Sequence, residues 1–387
     1  MRLKITALII VMTLAPTVQA QTITSESIDT LMRLIQYKYS LPALAGAIVT
    51  PDGIAAIGVA GERATGTGDA AEKDDQWHIG SCTKAMTATV IARLVDRGKL
   101  SWETTLGEIY EPENVHPELQ QVTVRQLLGH RGGFDRGWNN ALSPDPGESP
   151  RVQRAQLVEK VLKLKPNFQP GRDYHYSNVG YIIAGHITEK VMNKPWETVI
   201  KDALFRPLRM RETGFGAPGK FTRKGVNTFT DPVGHAPGGT ANPGFDNPAF
   251  IGPAGTVHCT LQDWGLFIAE HIKGSRGQSR LISKAQFDQL HEPLPGPGDV
   301  YSLGWGVSTS PSGGTSLRHN GSNTQWYSMV MVDLEGGYGV MVATNIGNGT
   351  GEGEAKASQA CQEAVRALTI WYRDQLAKGK FTTVKEH

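Results

Sequence analysis

Ser81 and Lys84 stand three residues apart in Gly80-Ser81-Cys82-Thr83-Lys84, a spacing that stacks their side chains on one face of a helix. A serine hydroxyl is a weak nucleophile until a neighbour takes its proton, and a desolvated lysine amine is one group able to do so. Good helix formers with helix-spaced apolar residues follow Ser81, so it is expected at or near a helix N-terminus. The free amides there favour negative charge. No other serine in the chain has a lysine three residues later. The same two residues also describe an N-cap serine beside an ordinary surface lysine, so further groups must separate the readings.

Two further segments carry suitable groups. Tyr176-Ser177-Asn178 follows the turn Pro170-Gly171 and precedes the apolar run Val179 to Ile187. A phenol there can shuttle a proton, and an amide can orient an amine or a carbonyl. Asn178 as a helix N-cap is the plainer alternative. His319-Asn320-Gly321-Ser322 lies between two predicted strands. Gly321 would let a substrate backbone approach, and the Ser322 N–H with the Ser81 N–H would form an oxyanion hole.

These groups need elements to hold them. Ile28, Leu31, Leu34 and Ile35 recur at helical spacing, and Leu44 to Thr50 with Ile54 to Ala60 reads as a hairpin about Pro51-Asp52-Gly53. Helices are expected near 81–98, 122–130, 152–164, 178–193 and 195–204. The stretch from Gly214 to Gly255 is rich in Gly, Pro and Asn and reads as long loops rimming a site. Strands return at Tyr301 to Ser308, Thr315 to Arg318, Gln325 to Leu334 and Tyr338 to Asn345, before a helix striped by Ala357, Cys361, Ala364, Leu368 and Tyr372. The expected fold is α/β (α+β). An antiparallel sheet built from 21–80 and 296–387 is flanked by helices, and 81–295 forms a mainly helical insert with the site between the two lobes.

Composition narrows the function. Arg2 and Lys4 precede the apolar run Ile5 to Ala15, and Val18-Gln19-Ala20 has the small-x-small pattern of a cleavage site. Residues 1–20 therefore read as a secretory signal, and a periplasmic or secreted protein is expected. Removing Arg2 and Lys4 from the 39 basic residues leaves 37, equal to the 37 acidic ones. A neutral chain does not bind nucleic acid or an anionic membrane by bulk charge, and no later apolar stretch has membrane length. A charge preference would come from local groups such as His319. Cys82, Cys259 and Cys361 are too few for a disulfide framework. Buried thiols are expected, with a single pair left open. No Gly-x-Ser-x-Gly elbow, His-Glu-x-x-His pair, phosphate loop or Rossmann glycine pattern occurs, so neither metal nor organic cofactor is expected.

The ordered set of Ser81-x-x-Lys84, Tyr176-x-Asn178 and His319-x-Gly321 resembles the serine hydrolases of the β-lactamase and penicillin-binding-protein superfamily. It is most similar to the class C branch with its DD-carboxypeptidases, D-amino-acid peptidases and family VIII esterases. Val124 to Gly133, Tyr181 to Gly185, Gly252-Pro253-Ala254-Gly255 and Leu303-Gly304-Trp305-Gly306 share in it. The resemblance implies a β-lactamase/transpeptidase-like fold, Ser81 as the acylated nucleophile and Lys84 as its proton acceptor. It also implies Tyr176 as a proton relay that helps activate the deacylating water, and Asn178 as a positioning group. His319 stands where β-lactamases usually carry Lys, which is similar to the peptidase and esterase branches. Asn320 and Trp326 depart from the usual residues and are expected to narrow the site. Trp138, Trp305 and Trp326 fit a cleft wall or the core equally. His130 reads as a structural turn residue, and His175 simply flanks the Tyr motif. The expected activity is hydrolysis of a small ester or a D-amino-acid peptide through an acyl-enzyme, with a small-molecule or peptide substrate as sole partner. The alternatives are a β-lactamase and a non-catalytic penicillin-binding or sensor protein. Oligomeric state is not legible.

Overall fold

The computed structural model describes residues 27–137, 142–220, 222, 228–298, 300–310, 312–348 and 355–381. The leader, its cleavage point after Ala20, and Trp138 lie outside them.

Ser27 opens α1 (Ile28–Lys38) by accepting from the Thr30 amide. β1 (Ala43–Thr50) and β2 (Gly53–Gly61) follow as a hairpin whose turn needs Gly53 at φ 118°. β3 (Gln76–His78) runs through a 3₁₀ turn, Gly80–Cys82, into α2 (Thr83–Asp96). α3 (Leu106–Tyr110) and α4 (Val124–Leu128) each begin with a capping box, Thr105 with Glu108 and Thr123 with Gln126. α5 (Pro150–Leu162), α6 (Asn178–Met192), α7 (Trp196–Ile200) and α8 (Arg206–Leu208) complete the middle of the chain. A π-type turn over Lys201–Phe205 joins the last two. Then come β4 (Thr213–Phe215), α9 (Gly252–Gly255), β5 (Val257–Thr260), α10 (Leu261–Ser275) and α11 (Lys284–His291). The chain returns through β6 (Gly306–Thr309), β7 (Thr315–Ser322), β8 (Tyr327–Asp333) and β9 (Tyr338–Thr344) to α12 (Lys356–Ala377).

The fold is a mixed α/β arrangement around a six-stranded antiparallel sheet ordered β2-β1-β9-β8-β7-β6. Central β9 is buried along its whole length. In β1, Ala43, Ala45, Ala47 and Val49 face the core shared with Trp264, Phe267 and Ile268 of α10. Leu44 and Ile48 face α1 and α12, as the two-residue period of a strand requires. Gly46 lets those helices close in, because a Cβ there would sit 2.8 Å from both Leu368 and Met32. A further apolar cluster, with Ile91, Leu127, Leu157 and Ile182, joins α2, α4, α5 and α6.

Three features differ from the pattern reading. The strand expected from Tyr301 begins at Gly306, because Gly304 turns at φ 91° and packs where a Cβ would be 2.7 Å from the Ala85 Cα. A second sheet, β3-β5-β4, is made of strands of three or four residues, too short for periodicity to register. α10 and α11 were not foreseen either, although Thr260 caps α10 through the Asp263 amide.

α2, α10 and α11 enclose an imidazole pair. The Thr89 hydroxyl donates to the Ala85 carbonyl at 2.9 Å, so it accepts from His271 Nε2 at 3.3 Å. His271 Nδ1 then accepts from His291 Nε2 at 2.9 Å. Burial holds His271 well below the usual imidazole range and pushes His291 down to about 3. Unfolded imidazoles take up protons near pH ~6.5, so this stabilisation is complete above that value and is lost as pH falls toward 3. Burial raises Asp75 to about 6, which acts in the opposite sense, so the effect is read by difference. The thermal midpoint, followed by circular dichroism, should fall less between pH 7 and pH 4 in His291→Gln than in the parent chain. Equal slopes would contradict this account.

Candidate active site

The nucleophile turn is fixed by backbone geometry. Gly80 adopts φ 49°, and a Cβ on it would lie 2.6 Å from the Ser322 amide nitrogen. The turn therefore presses the start of α2 against the end of β7. That contact sets Gly80, the residue before Ser81, against the Ser322 amide nitrogen. The Ser328 hydroxyl donates to the Ile79 carbonyl at 2.9 Å. The missing side chain of Gly321 makes room for that same carbonyl, 2.0 Å from where a Cβ would stand. The close approach foreseen at Gly321 is thus made by the nucleophile turn itself.

Lys84 is fully buried on the first turn of α2. Its Nζ lies 3.1 Å from Ser81 Oγ, 2.8 Å from Asn178 Oδ1 and 2.7 Å from the Ala254 carbonyl. Desolvation, with Arg136 adding a like charge, lowers its pKa well below the ordinary lysine value. A neutral amine has two N–H bonds and one lone pair. Asn178 Oδ1 and the Ala254 carbonyl only accept, so they take the two hydrogens and the lone pair faces the Ser81 hydroxyl.

The other groups come from three directions. Ser177, not Asn178, caps α6, accepting from the Gly180 amide at 3.1 Å and donating to the Asp135 carbonyl at 2.6 Å. Asn178 is thereby left free to reach Lys84. Tyr176 lines the same cleft as Ser81 and is raised above the usual phenol range by burial, so it stays protonated. The Lys84 amine lies 4.9 Å and the Arg136 guanidinium 5.5 Å from its ring centroid. His130, at φ 59°, accepts from the Ser177 amide and packs on Tyr176 at 4.3 Å between ring centroids. It is a platform for the Tyr motif. Gly185 lets α6 meet α9, since a Cβ there would sit 2.1 Å from the Pro253 ring.

His319 Nδ1 donates to the Asn320 carbonyl at 2.7 Å, so in the neutral ring Nε2 accepts from the Tyr301 hydroxyl at 2.9 Å. Burial first, then the Lys84 charge, pushes its pKa down to about 3. The ring is neutral, and the charge preference expected of it passes to Arg136, Arg318 and Arg366. These three line a cleft of about 940 Å³ that also takes in Ser81, Tyr176 and Tyr301 and has no carboxylate among the described residues of its wall. Asn320 lines the cleft too, held by its amide to the Tyr327 hydroxyl at 2.8 Å. Trp326 and Trp305 do not. Both are core residues, and Trp326 meets Trp77 edge-on. Cys82, Cys259 and Cys361 are free and buried, and His175 stacks on Phe168. Tyr301, Arg136 and the Ala254 carbonyl were not singled out from the sequence. Only Ala254 had a local signal, in Gly252-Pro253-Ala254-Gly255. Among the described residues no three His, Cys, Asp or Glu side chains converge as a metal-ligand set.

The β-lactamase family model matches residues 26–363. The chain belongs to the β-lactamase family. Its relatives in that family include penicillin-binding protein 4 of Amycolatopsis lactamdurans, 25% identical over 74% of this chain and 76% of that protein. Unguisins hydrolase ungD' of Aspergillus campestris is 26% identical over 60% of this chain but only 45% of its own length. In fold, the chain is similar to a β-lactamase/D-alanine carboxypeptidase from Pseudomonas syringae. That likeness has a TM-score of 0.69 and 18% identity, over 87% of this chain and 97% of the other. A D-stereospecific amidohydrolase from Streptomyces sp. gives 0.67 and 20%, with the same two coverages.

The proton inventory at Lys84 makes a specific demand. Arginine keeps positive charge and hydrogen-bond reach but does not give up its proton in a protein. Lys84→Arg should therefore lower kcat roughly 10²–10⁴-fold, the range for loss of a general base. The parent enzyme should lose activity as pH falls through the depressed Lys84 pKa, and Lys84→Arg should show no such limb. A stopped assay from pH 5 to 9 measures both. An arginine variant with ordinary turnover would mean that Lys84 is not the base.

Proposed function

We propose that this chain is an exported serine hydrolase that cleaves a small ester or a D-amino-acid peptide bond through an acyl-enzyme on Ser81. The observation carrying the reading is the buried Lys84 amine, whose two hydrogens have acceptor-only partners and whose lone pair meets the Ser81 hydroxyl. A protein that only binds its ligand has no use for an amine kept uncharged at a cost in stability.

In acylation, Ser81 Oγ attacks the substrate carbonyl carbon while its proton passes to Lys84. The carbonyl oxygen becomes an oxyanion facing the Ser81 and Ser322 amides. The protonated Tyr176 phenol supplies a hydrogen to the leaving alcohol or amine and is recharged from the Lys84 ammonium. As the tetrahedral centre collapses, the carbon–leaving-group bond breaks and an ester on Ser81 remains. Water then attacks that ester and gives its proton to the same relay. The acid leaves, and Ser81 regains its hydrogen. The three arginines on the cleft wall favour neutral or anionic substrates over cationic ones. The export part of the reading rests on the Arg2-to-Ala20 leader pattern alone.

A fluorophosphonate probe should label the parent chain stoichiometrically and leave Ser81→Ala unlabelled. Mass spectrometry of the tryptic peptide locates the adduct. Retained labelling of Ser81→Ala would overturn the nucleophile assignment. A panel of p-nitrophenyl esters, D-amino-acid anilides and a chromogenic cephalosporin should give turnover on the first or second class. Turnover confined to the cephalosporin would make the chain a β-lactamase instead.

A further inference from the structure

His78 and Asp246 belong to no step described so far, yet His78 is buried beside the nucleophile turn and Asp246, its side chain 9% exposed, lies against it. His78 ends β3 and is completely enclosed. The Gly80 amide donates to its Nδ1 at 3.1 Å, so that nitrogen carries no proton and a neutral ring has its hydrogen on Nε2. Nε2 lies 2.9 Å from Asp246 Oδ1, although the N–H is not lined up well enough to count as a hydrogen bond. Trp326 packs on the ring at 6.4 Å between centroids. The same Oδ1 accepts from Asn323 Nδ2 at 2.8 Å and from the Asn247 amide at 2.6 Å, while Oδ2 has no partner. Asn247 in turn donates to the Gly255 carbonyl at 2.8 Å, one residue beyond the carbonyl that holds Lys84.

The consequence is geometric. The Ser81 amide follows Gly80, whose own amide is held by His78. The Ser322 amide precedes Asn323, whose side chain is held by Asp246. One carboxylate thus reaches the neighbour of each proposed oxyanion amide, Asn323 through its side chain and Gly80 through the His78 imidazole. The Gly80 carbonyl is held by the Thr83 amide, but an apolar residue at 78 would strand the Gly80 amide, and a glycine's left-handed φ is intrinsically permissive. Withdrawing a carboxylate from most of its water is costly unless it is well paired. A site that must hold two amides to within about 0.5 Å gives a reason to retain one.

We propose that His78 and Asp246 are a positioning pair that sets the separation of the Ser81 and Ser322 amides for the tetrahedral state. The proposal rests on the acyl-enzyme reading of Ser81. His78 accepts from the turn and Asp246 orients His78. Neither touches substrate. Because the oxyanion exists only on the way to and from the acyl-enzyme, disturbing the pair should lower kcat and leave KM nearly unchanged.

The test uses the full chain, p-nitrophenyl acetate as substrate and phenylboronic acid as a tetrahedral mimic. Asp246→Asn and His78→Gln, whose amide cannot accept where Nδ1 does, should lower kcat roughly 10–100-fold. That is a fraction of the 10²–10³ lost with a whole oxyanion donor. Both should weaken phenylboronic acid by a similar factor with KM within about threefold, and shift the acyl-enzyme carbonyl stretch to higher frequency in the infrared. His78→Asn places an amide oxygen near the Nδ1 position and should recover much of the loss. Parental kcat and boronate affinity in these variants would overturn the proposal, as would a loss carried by KM alone. So would a loss that disappears at lower temperature in step with recovered folding. Fluorophosphonate labelling of the parent chain separates the two claims: if Ser81 is labelled and the variants behave as the parent, only the positioning proposal falls. If Ser81 is not labelled, the acyl-enzyme reading falls first.

Discussion

The rest of the site is arranged around an amine kept out of water. Lys84 is enclosed on every side, and an isolated ammonium there would cost several kcal/mol. The cost is met by lowering its pKa rather than by pairing it with a carboxylate; no acid lies among its hydrogen-bond partners. This choice makes the amine a base. A carboxylate partner would have held it as a cation and raised its pKa. Each partner therefore comes from a different part of the chain: an amide oxygen from α6, a main-chain carbonyl from α9, a hydroxyl from the turn before α2. Glycines where those parts meet, Gly80, Gly185, Gly304 and Gly321, allow approaches that a Cβ would block.

The sheet supplies the rigidity this needs. β7 pairs with β8 as far as Ser322↔Tyr327, while its pairing with β6 runs only from Thr315 to Arg318. Beyond Arg318, β7 offers a free edge toward the cleft, backed by β8 and the fully buried β9. The rivet between Ser328 and the Ile79 carbonyl ties the nucleophile turn to that backing. The serine and the second oxyanion amide thus share one support. Elements buried on both faces open only with global unfolding, which suits a site whose distances must be held closely.

The sequence was most legible where chemistry and local structure coincide. Ser81 and Lys84 are three apart on a helix, and Tyr176 and Asn178 flank a cap, so spacing alone groups each pair. The long elements α1, α6, α12 and β1, β2, β8 and β9 carry strong periodicity and were placed to within a few residues. What escaped has a common cause. β3, β4 and β5 are too short to show a period, and the partners of His78, Tyr301 and Ala254 lie 18 to 170 positions away. A histidine followed by Ile79-Gly80 looks ordinary until the loop carrying Asp246 folds onto it. Trp326 fitted a cleft wall or the core equally, and the resemblance implied that it narrows the site; the turn after Ser322 sends it into the core.

The imidazoles around the amine complete the electrostatic argument. His130 and His319 are both enclosed, and burial holds both in the neutral form. A protonated ring at either place would repel an incoming proton at Lys84 and weaken it as a base. Neutral rings leave the fixed positive charge of the cleft wall to Arg136, Arg318 and Arg366. In the proposed acylation, proton transfer from Ser81 creates an ammonium and an oxyanion together, a few ångströms apart in a medium that screens them poorly. The attraction between these two charges appears only as the reaction proceeds, so it stabilises the tetrahedral state without stabilising the resting enzyme.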